Sequence, residues 1–310
     1  MTRDWFIRPM ISDEIGIVVD LLSTVPAADI SFALRNSLAE STEKGNSGHA
    51  VVAELAGKMV AAAAVTADHV FPGAMLANLA VKPGYGGQGI ATSMADALAR
   101  SLRGIASADT VTASIRDDLL VGRSFAERRG FTLASHSIGF RYDFLDDASE
   151  LTSHAYLAAR RAHVRVRRMF IDTAAERIMD CFKRCRSGLP LRYGQRPVDV
   201  EARLREYPPD TVYLLAERLG EHEAHPIAMT VLFPRNDGKP WYTRFTGTDP
   251  QFRGLGAARA VKTAALYLAF QAGAPAVTTH NNESNSPILS LNATLGMKRD
   301  VGYWAMTRPL

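Results

Sequence analysis

Two stretches set 167 residues apart constrain this chain more than any other feature. VKPGYGGQGIATSMADAL (81–98) lies over TDPQFRGLGAARAVKTAA (248–265), with Pro83 on Pro250, Tyr85 on Phe252, Gly89 on Gly256 and Ala91 on Ala258. Downstream, FAERRGF (125–131) aligns with LNATLGM (291–297), placing Gly130 over Gly296. Upstream, VVAELAGKMVAAAAV (51–65) and YLLAERLGEHEAHPIAMTV (213–231) both read as strand, turn, strand. So many landmarks in one order mean a tandem duplication. The 310 residues divide into two domains of roughly 150 each.

Each copy reads alike. A first strand (FIRPM, then VRVRRMF) leads into helical SDEIGIVVDLL or TAAERIMDCFKR. A hairpin and a third strand enter the Pro–Gly loop, and a long amphipathic helix follows. Then come another strand (TVTASI, AVTTH), a short helix and a last strand (SIGFRYDF, VGYWAMT). This order predicts an α/β (α+β) fold: in each copy a mixed, mostly antiparallel sheet flanked by helices. The expected domains are 1–146 and 161–310, with 147–160 as the connection.

Composition sets limits on function. No run of eighteen apolar residues appears, so no membrane span is expected. Charges interrupt the first ten residues, which argues against a secretory leader and makes the cytoplasm the expected location. The net charge of +4 is compatible with an anionic ligand. RRAHVRVRR (160–168) is the densest basic stretch, yet no nucleic-acid-binding signature accompanies it, so no nucleic-acid partner is expected. Cys181 and Cys185, spaced to share a helix face, lack the further ligands of a metal site, and no metal is expected. A monomer or a homodimer fits equally well.

A strand running through a Gly-rich turn into a helix presents unpaired N–H groups at the positive end of a helix dipole, which suits an anion such as a pyrophosphate. Neither loop has the G-x-G-x-x-G spacing of a dinucleotide fold or the Gly-Lys-Ser/Thr of a P-loop. The pattern V-x-P-x-x-R/Q-x-x-G-x-G/A, opening a long helix with Gly-Phe about 40 residues on, resembles the GNAT acyltransferase superfamily over nearly all of both halves. The resemblance implies that the loops hold the pyrophosphate of acetyl-CoA, and that the strand before each loop splays from its neighbour and binds the pantetheine arm. In the second copy the matching residues are Arg253, Gly254, Leu255, Gly256, Ala257 and Ala258, preceded by Thr246, Gly247 and Thr248. In the first they are Gly86, Gly87, Gln88, Gly89, Ile90 and Ala91, preceded by Leu79, Ala80 and Val81. Gly86 stands where the family has Arg or Gln, and Thr248 where it has Val.

The family commonly places a thiolate-protonating tyrosine on the short helix and an asparagine seven residues ahead of it. The first copy has Ala126 and Leu119 there, and so reads as catalytically depleted. The second has Asn292 and Asn285 within THNNESNSPILSLNATLGM, a stretch similar to tandem actinobacterial members of the family. Asn292 is no general acid, because an amide does not titrate. For the base, the central strand WYTRFTGT lacks the glutamate often found there. His280 is the best-placed titratable residue, and an imidazole's ordinary pKa of about 6.5 suits the task. Glu217 and Glu283 are weaker options. Tyr242 and Arg244 alternate toward one strand face and are expected to line a substrate cleft, together with parts of the unpatterned stretch 184–211.

The resemblance thus implies an acetyl-CoA-dependent N-acetyltransferase for a small amine, such as an amino sugar, an aminoacyl metabolite or a secondary-metabolite intermediate. Its C-terminal copy would be catalytic, and its N-terminal copy structural or non-productively bound to acetyl-CoA. A GNAT-fold decarboxylase, a longer-chain acyltransferase and a non-catalytic acyl-CoA-binding regulator are the alternatives.

Overall fold

The computed structural model describes residues 5–23, 34–39, 50–68, 73–102, 109–144, 149–187, 204, 207–220 and 225–310. These form two compact units, one holding residues 5–137 with Gly302–Leu310, the other Ile138–Val301. The expected 147–160 connection is mostly helical, and its first two residues lie outside the described ones. So does most of the 184–211 stretch expected near the acceptor.

The first unit runs β1 (Trp5–Pro9), α1 (Ile15–Leu22), β2 (Ala50–Leu55), β3 (Lys58–Ala67), β4 (Ala74–Val81), α2 (Ile90–Leu102), β5 (Thr110–Arg116), α3 (Leu120–Glu127) and the start of β6 (Thr132–Asp143). Ala56 and Gly57 make the two-residue β2–β3 turn, both at positive φ, as a type I′ hairpin needs. Strand order is β1-β2-β3-β4-β5, and the sixth place goes to β12 (Lys298–Pro309), from the far end of the chain. Tyr303–Pro309 pair antiparallel with Arg116–Thr110.

Alternation along β3 sorts the core. Ala61, Ala63 and Val65 pack under Ile90, Met94 and Leu98 of α2, whereas Ala62 and Ala64 pack against Val18, Val19 and Leu22 of α1. Each large apolar side chain so buried is worth about 1.5–3 kcal/mol, which fixes the register that positions the loop after β4.

The second unit runs α4 (Ser149–Arg161), β7 (Val164–Met169), α5 (Ile171–Ser187), β8 (Val212–Arg218), β9 (Pro226–Phe233), β10 (Trp241–Thr248), α6 (Ala257–Gln271), β11 (Ala276–Asn282), α7 (Ser286–Thr294) and the start of β12. Its strand order, β7-β8-β9-β10-β11-β6, repeats the first with β6 in sixth place. Each unit therefore takes its sixth strand from the other half of the duplicated sequence. The changeovers fall at Ser137/Ile138 and Val301/Gly302 rather than at the repeat junction. Helix α5 covers one face, over Tyr213, Leu215, Met229, Val231 and Tyr242. On the other, α6 packs over Leu214, Leu232, Trp241 and Val277. In both units the strands are mixed and mostly antiparallel, as expected, and each unit contains a parallel pair, β4 with β5 and β10 with β11.

Candidate active site

That parallel pair creates the cleft. β10 pairs with β9 from Tyr242 to Thr248, across a register shift at Arg244, but its pairing with β11 covers only Trp241–Thr243, opposite Val277–Thr279. From Arg244 to Thr248, β10 pairs with no strand on its β11-facing side among the described residues. The first unit repeats this: β4 meets β5 only at Ala74–Leu76, opposite Thr110–Thr112, so Ala77 to Val81, including Leu79 and Ala80, diverge. Both copies thus contain the splay that the resemblance implied.

Beyond each splayed strand the loop geometry is duplicated. Gly254 and Gly256 sit at φ 80° and 84°, and Gly87 and Gly89 at 76° and 80°. Only glycine adopts such conformations at little cost. A Cβ at Gly87, Gly89 or Gly254 meets nothing within 4 Å, and one at Gly256 meets only Ala162 at 3.7 Å. These glycines therefore answer to backbone conformation and an open cradle, not to internal crowding. Helix α6 starts at Gly256, whose carbonyl accepts from Ala260. The first-turn amides of Ala257, Ala258 and Arg259 are left without intrahelical acceptors. Gly89 and Ser93 start α2 in the same way, leaving Ile90 and Ala91 equivalent. Arg253, Leu255, Gly86 and Gln88 are exposed on the loops. Such a cradle, open around its glycines among the described residues and lined by oriented N–H groups, fits a pyrophosphate.

The backbone of Thr246, Gly247 and Thr248 continues the cleft. Thr230 donates its hydroxyl proton to the Phe245 carbonyl at 2.9 Å and so accepts from the Thr246 hydroxyl, also at 2.9 Å. A Cβ at Gly247 would lie 2.6 Å from Phe245 Cζ and 2.9 Å from Cys185 Cβ. Here glycine is required by packing. The β10 ladder shifts register between Thr243 and Phe245. The shift puts Phe245 in the α5-side cluster with Tyr242, so the simple alternation that pairs Tyr242 with Arg244 does not run through the strand. Tyr242 is buried and Arg244 half-buried.

His280 is the first residue of β11 beyond the parallel pairing. Its Nε2 lies 3.0 Å from the Val301 carbonyl, which can only accept, so in the neutral ring Nε2 carries the proton. Nδ1 then presents its lone pair to the Tyr242 hydroxyl at 3.3 Å. The rings lie 5.7 Å apart. This arrangement can pass a proton from Tyr242 Oη to His280 Nδ1. In the first unit the registered positions hold Met75 and Ala113, which cannot.

The asparagines divide. Asn285 is the N-cap of α7, half-exposed, and its side chain caps no amide of its own helix. Asn292 is wholly buried; its Nδ2 donates to Asn281 Oδ1 at 2.7 Å, and its own Oδ1 has no partner among the described residues. Asn281, the partner of Asn292, lies in the same asparagine-rich motif THNNESNSPILSLNATLGM, and that motif is the sequence signal for it. Glu217 is held by Arg177 at 2.9 Å and Arg167 at 3.2 Å, a structural cluster that engages both of its oxygens. Glu283 is exposed just after β11. Cys181 and Cys185 are buried with sulfurs 3.9 Å apart. The hydrogen bond from Cys185, with burial, pushes the Cys181 thiol well above its ordinary range, so it is no nucleophile. Among the described residues, no group of His, Cys, Asp and Glu could hold a metal, and no helix is long and apolar enough to cross a membrane.

Comparison with known proteins speaks for the fold and the family. No curated protein sequence matches the chain. A GCN5-related N-acetyltransferase from Sphaerobacter thermophilus superposes with a TM-score of 0.71 at 16% identity, over 100% of this chain and 96% of that one. A tandem GNAT protein from the clavulanic acid biosynthesis pathway gives 0.69 at 18%, over 98% of both. A glucosamine N-acetyltransferase region of a fungal multi-domain β-N-acetylglucosaminidase gives 0.68 at 14%, over 98% of this chain and 38% of that one. At such identities the likeness speaks for the fold. Residues 20–131 and 175–296 each match the Acetyltransferase (GNAT) family, and with three quarters of its length so matched the chain belongs to that family, as a tandem pair of GNAT domains.

Proposed function

We propose that the protein is an acetyl-CoA-dependent N-acetyltransferase for a small amine, and that the second unit carries the chemistry. The observation behind this reading is the coincidence, in that unit alone, of an open loop, a splayed strand and the Tyr242–His280 pair at the vertex of the splay.

Bound acetyl-CoA supplies an acyl thioester whose carbonyl carbon an amine attacks. The chain's part is to seat the cofactor and to move protons. The amides of Gly254 to Ala258, with Arg253, take the pyrophosphate, and the unpaired edge of Thr246–Thr248 takes the pantetheine arm. Asn285, unspent on its own helix, positions that arm from the α7 side. The acceptor's ammonium gives a proton to Tyr242 Oη as the Tyr242 proton passes to His280 Nδ1. His280 is held for this by its Nε2–H bond to Val301. The resulting imidazolium donates from both nitrogens, and both already face acceptors. Arg244, at the register shift beside Tyr242, lines the acceptor's approach. Asn292 acts at a distance by fixing Asn281.

The first unit keeps the cradle of Gly86–Ala91 and the strand Leu79–Val81 without a proton relay. It is assigned a structural or non-productive acetyl-CoA-binding role. For the acceptor class, two of the superposed proteins, one a glucosamine N-acetyltransferase region and one from clavulanic acid biosynthesis, favour a small molecule such as an amino sugar over a polymer.

The test is calorimetric titration with acetyl-CoA, followed by thiol release against a panel of amino sugars, aminoacyl compounds and polyamines. Binding with release dependent on one amine supports the reading. Binding without release from any amine favours a regulator, and no binding leaves only the fold.

A further inference from the structure

The second loop is fastened to helix α5 by a pair of charges for which the first unit shows no counterpart among its described residues. Asp249, buried at the start of the loop, uses Oδ1 to accept from the Gln251 amide at 3.1 Å and Oδ2 to accept from Arg184 Nε at 3.0 Å. Arg184, in the last turns of α5, also donates through Nη2 to the Pro226 carbonyl at 2.7 Å and pairs through Nη1 with Asp180 on its own helix. One guanidinium thus joins α5, the start of β9 and the loop, with the planar fork that only arginine provides.

The same backbone exists in the first unit without the pair. Asp249 N–H donates to Ile227 at 2.8 Å, and Lys82 N–H, 167 residues earlier, donates to Val60 at 2.8 Å. Lys82 reverses the charge at the matching position.

Helix α5 also touches the rest of the cleft. Cys185 lies where a side chain at Gly247 would go, and Phe182 packs on Phe245 with ring centroids 4.6 Å apart. Phe182 belongs to the cluster that includes Tyr242. A helix that holds the loop at its C-terminal end and packs against the splayed strand and the tyrosine's face connects the cofactor seat to the wall of the proton relay.

We propose that Arg184 and Asp249 are positioning residues: their pair presets the second loop for coenzyme A, and through it occupancy of the loop orders the C-terminal turns of α5. This rests on the reading of that loop as a coenzyme A cradle. Neither residue is placed in contact with the reacting atoms.

The experiment uses coenzyme A itself, which needs no acceptor, on the full chain. Calorimetry would compare the wild type with Asp249→Asn, which keeps an acceptor for Gln251, and with Arg184→Gln. Hydrogen exchange would follow residues 181–187 with and without ligand. The expected result is affinity at the second site about tenfold weaker in either variant, together with loss of the ligand-induced protection of 181–187 seen in the wild type. Should Asp249→Asn fail to fold, Arg184→Lys, which keeps the charge but not the fork, carries the test and is expected to show intermediate weakening. Unchanged affinity in folded variants overturns the proposal, as does a wild type whose 181–187 segment gains no protection on binding. A wild type that binds no coenzyme A overturns the cradle reading itself, and the two failures are thereby told apart.

Discussion

Asp117 and Gly302 hold each other across 185 residues of chain: Gly302 N–H donates to Asp117 Oδ1 at 2.8 Å, and Asp117 N–H donates to the Gly302 carbonyl at 3.0 Å. This clasp seats the last strand in the first unit. The approach is so close that a Cβ at Gly302 would lie 2.4 Å from Asp117 Oδ2 and 2.4 Å from the Ser137 carbonyl. Its counterpart in the second unit is Gly139, where a Cβ would fall 2.0 Å from the Val301 carbonyl.

Both glycines are therefore fixed by crowding at the points where strands change unit. Gly302→Ala should destabilise the first unit, and Gly139→Ala the second, each by about 1–3 kcal/mol, because backbone carbonyls cannot swing aside as side chains do. Urea unfolding followed by hydrogen exchange in β5 and in β11 would read the two separately. Equal losses in both strands from either variant would argue against the clasp being local. A chain ending at Val301 should lose β5 protection altogether, since that strand would gain a bare edge.

Gly89 and Gly256 have nearly the same φ, 80° and 84°, so replacing either costs a comparable backbone strain of about 1–2 kcal/mol. That similarity makes them a controlled pair. Gly256→Asp places a carboxylate in the second cradle and should remove coenzyme A binding there, with turnover falling at least a hundredfold. Gly89→Asp should abolish only binding to the first unit and change turnover less than tenfold. The two alanine variants separate strain from charge. If Gly89→Asp proved the more damaging in a folded protein, the assignment of the active unit would be reversed.

The loops were legible in the sequence because their physics is local, whereas the splay was only what the family resemblance implied, since it depends on how two separate strands pair. A positive φ calls for glycine, so Gly87, Gly89, Gly254 and Gly256 mark the turns on the page, and Ala56–Gly57 marks the hairpin. What was not legible is pairwise and distant. β6 and β12 carry similar alternation, which settles the face a residue points to but not which strand lies beside it, so the exchange of sixth strands left no trace in periodicity. The register shift at Arg244 likewise breaks an alternation that the letters WYTRFTGT suggest. His280 could be picked out by its chemistry, but its tautomer depends on the Val301 carbonyl, supplied 21 residues later. The engagement of Glu217 by Arg167 and Arg177 is equally a product of strand and helix meeting.

The proton relay makes a distinction that single substitutions can test. Tyr242→Phe keeps the ring that packs in the α5-side cluster and removes only the hydroxyl facing His280. If Tyr242 passes the proton, this variant and His280→Ala should each lower turnover about 10²–10⁴-fold, with affinity for coenzyme A little changed. Their double variant should be no worse than the poorer single one, because the two groups act as one unit. Full activity in Tyr242→Phe, read as thiol release across pH 6–9 by an order-of-magnitude criterion, would restrict the base to His280 alone.

Lys262 offers a prediction about stability. It lies on α6 almost wholly out of solvent, and burial lowers its amine from the ordinary 10.5 to about 7. The unfolded chain then binds a proton that the folded state has released over the interval between those values. Stability of the second unit therefore rises as pH increases from about 7 toward 10.5. Below that interval the amine is charged in both states and the full desolvation cost applies. Above it the amine is neutral in both, and the cost is gone. Lys262→Met removes the titrating group while filling similar volume. It should stabilise the protein by a few kcal/mol at neutral pH and by much less near pH 10. Urea midpoints of the two proteins across this range, taken as differences, cancel the contributions of all other titrating groups. A gain independent of pH would mean that the Lys262 amine reaches solvent in the folded state.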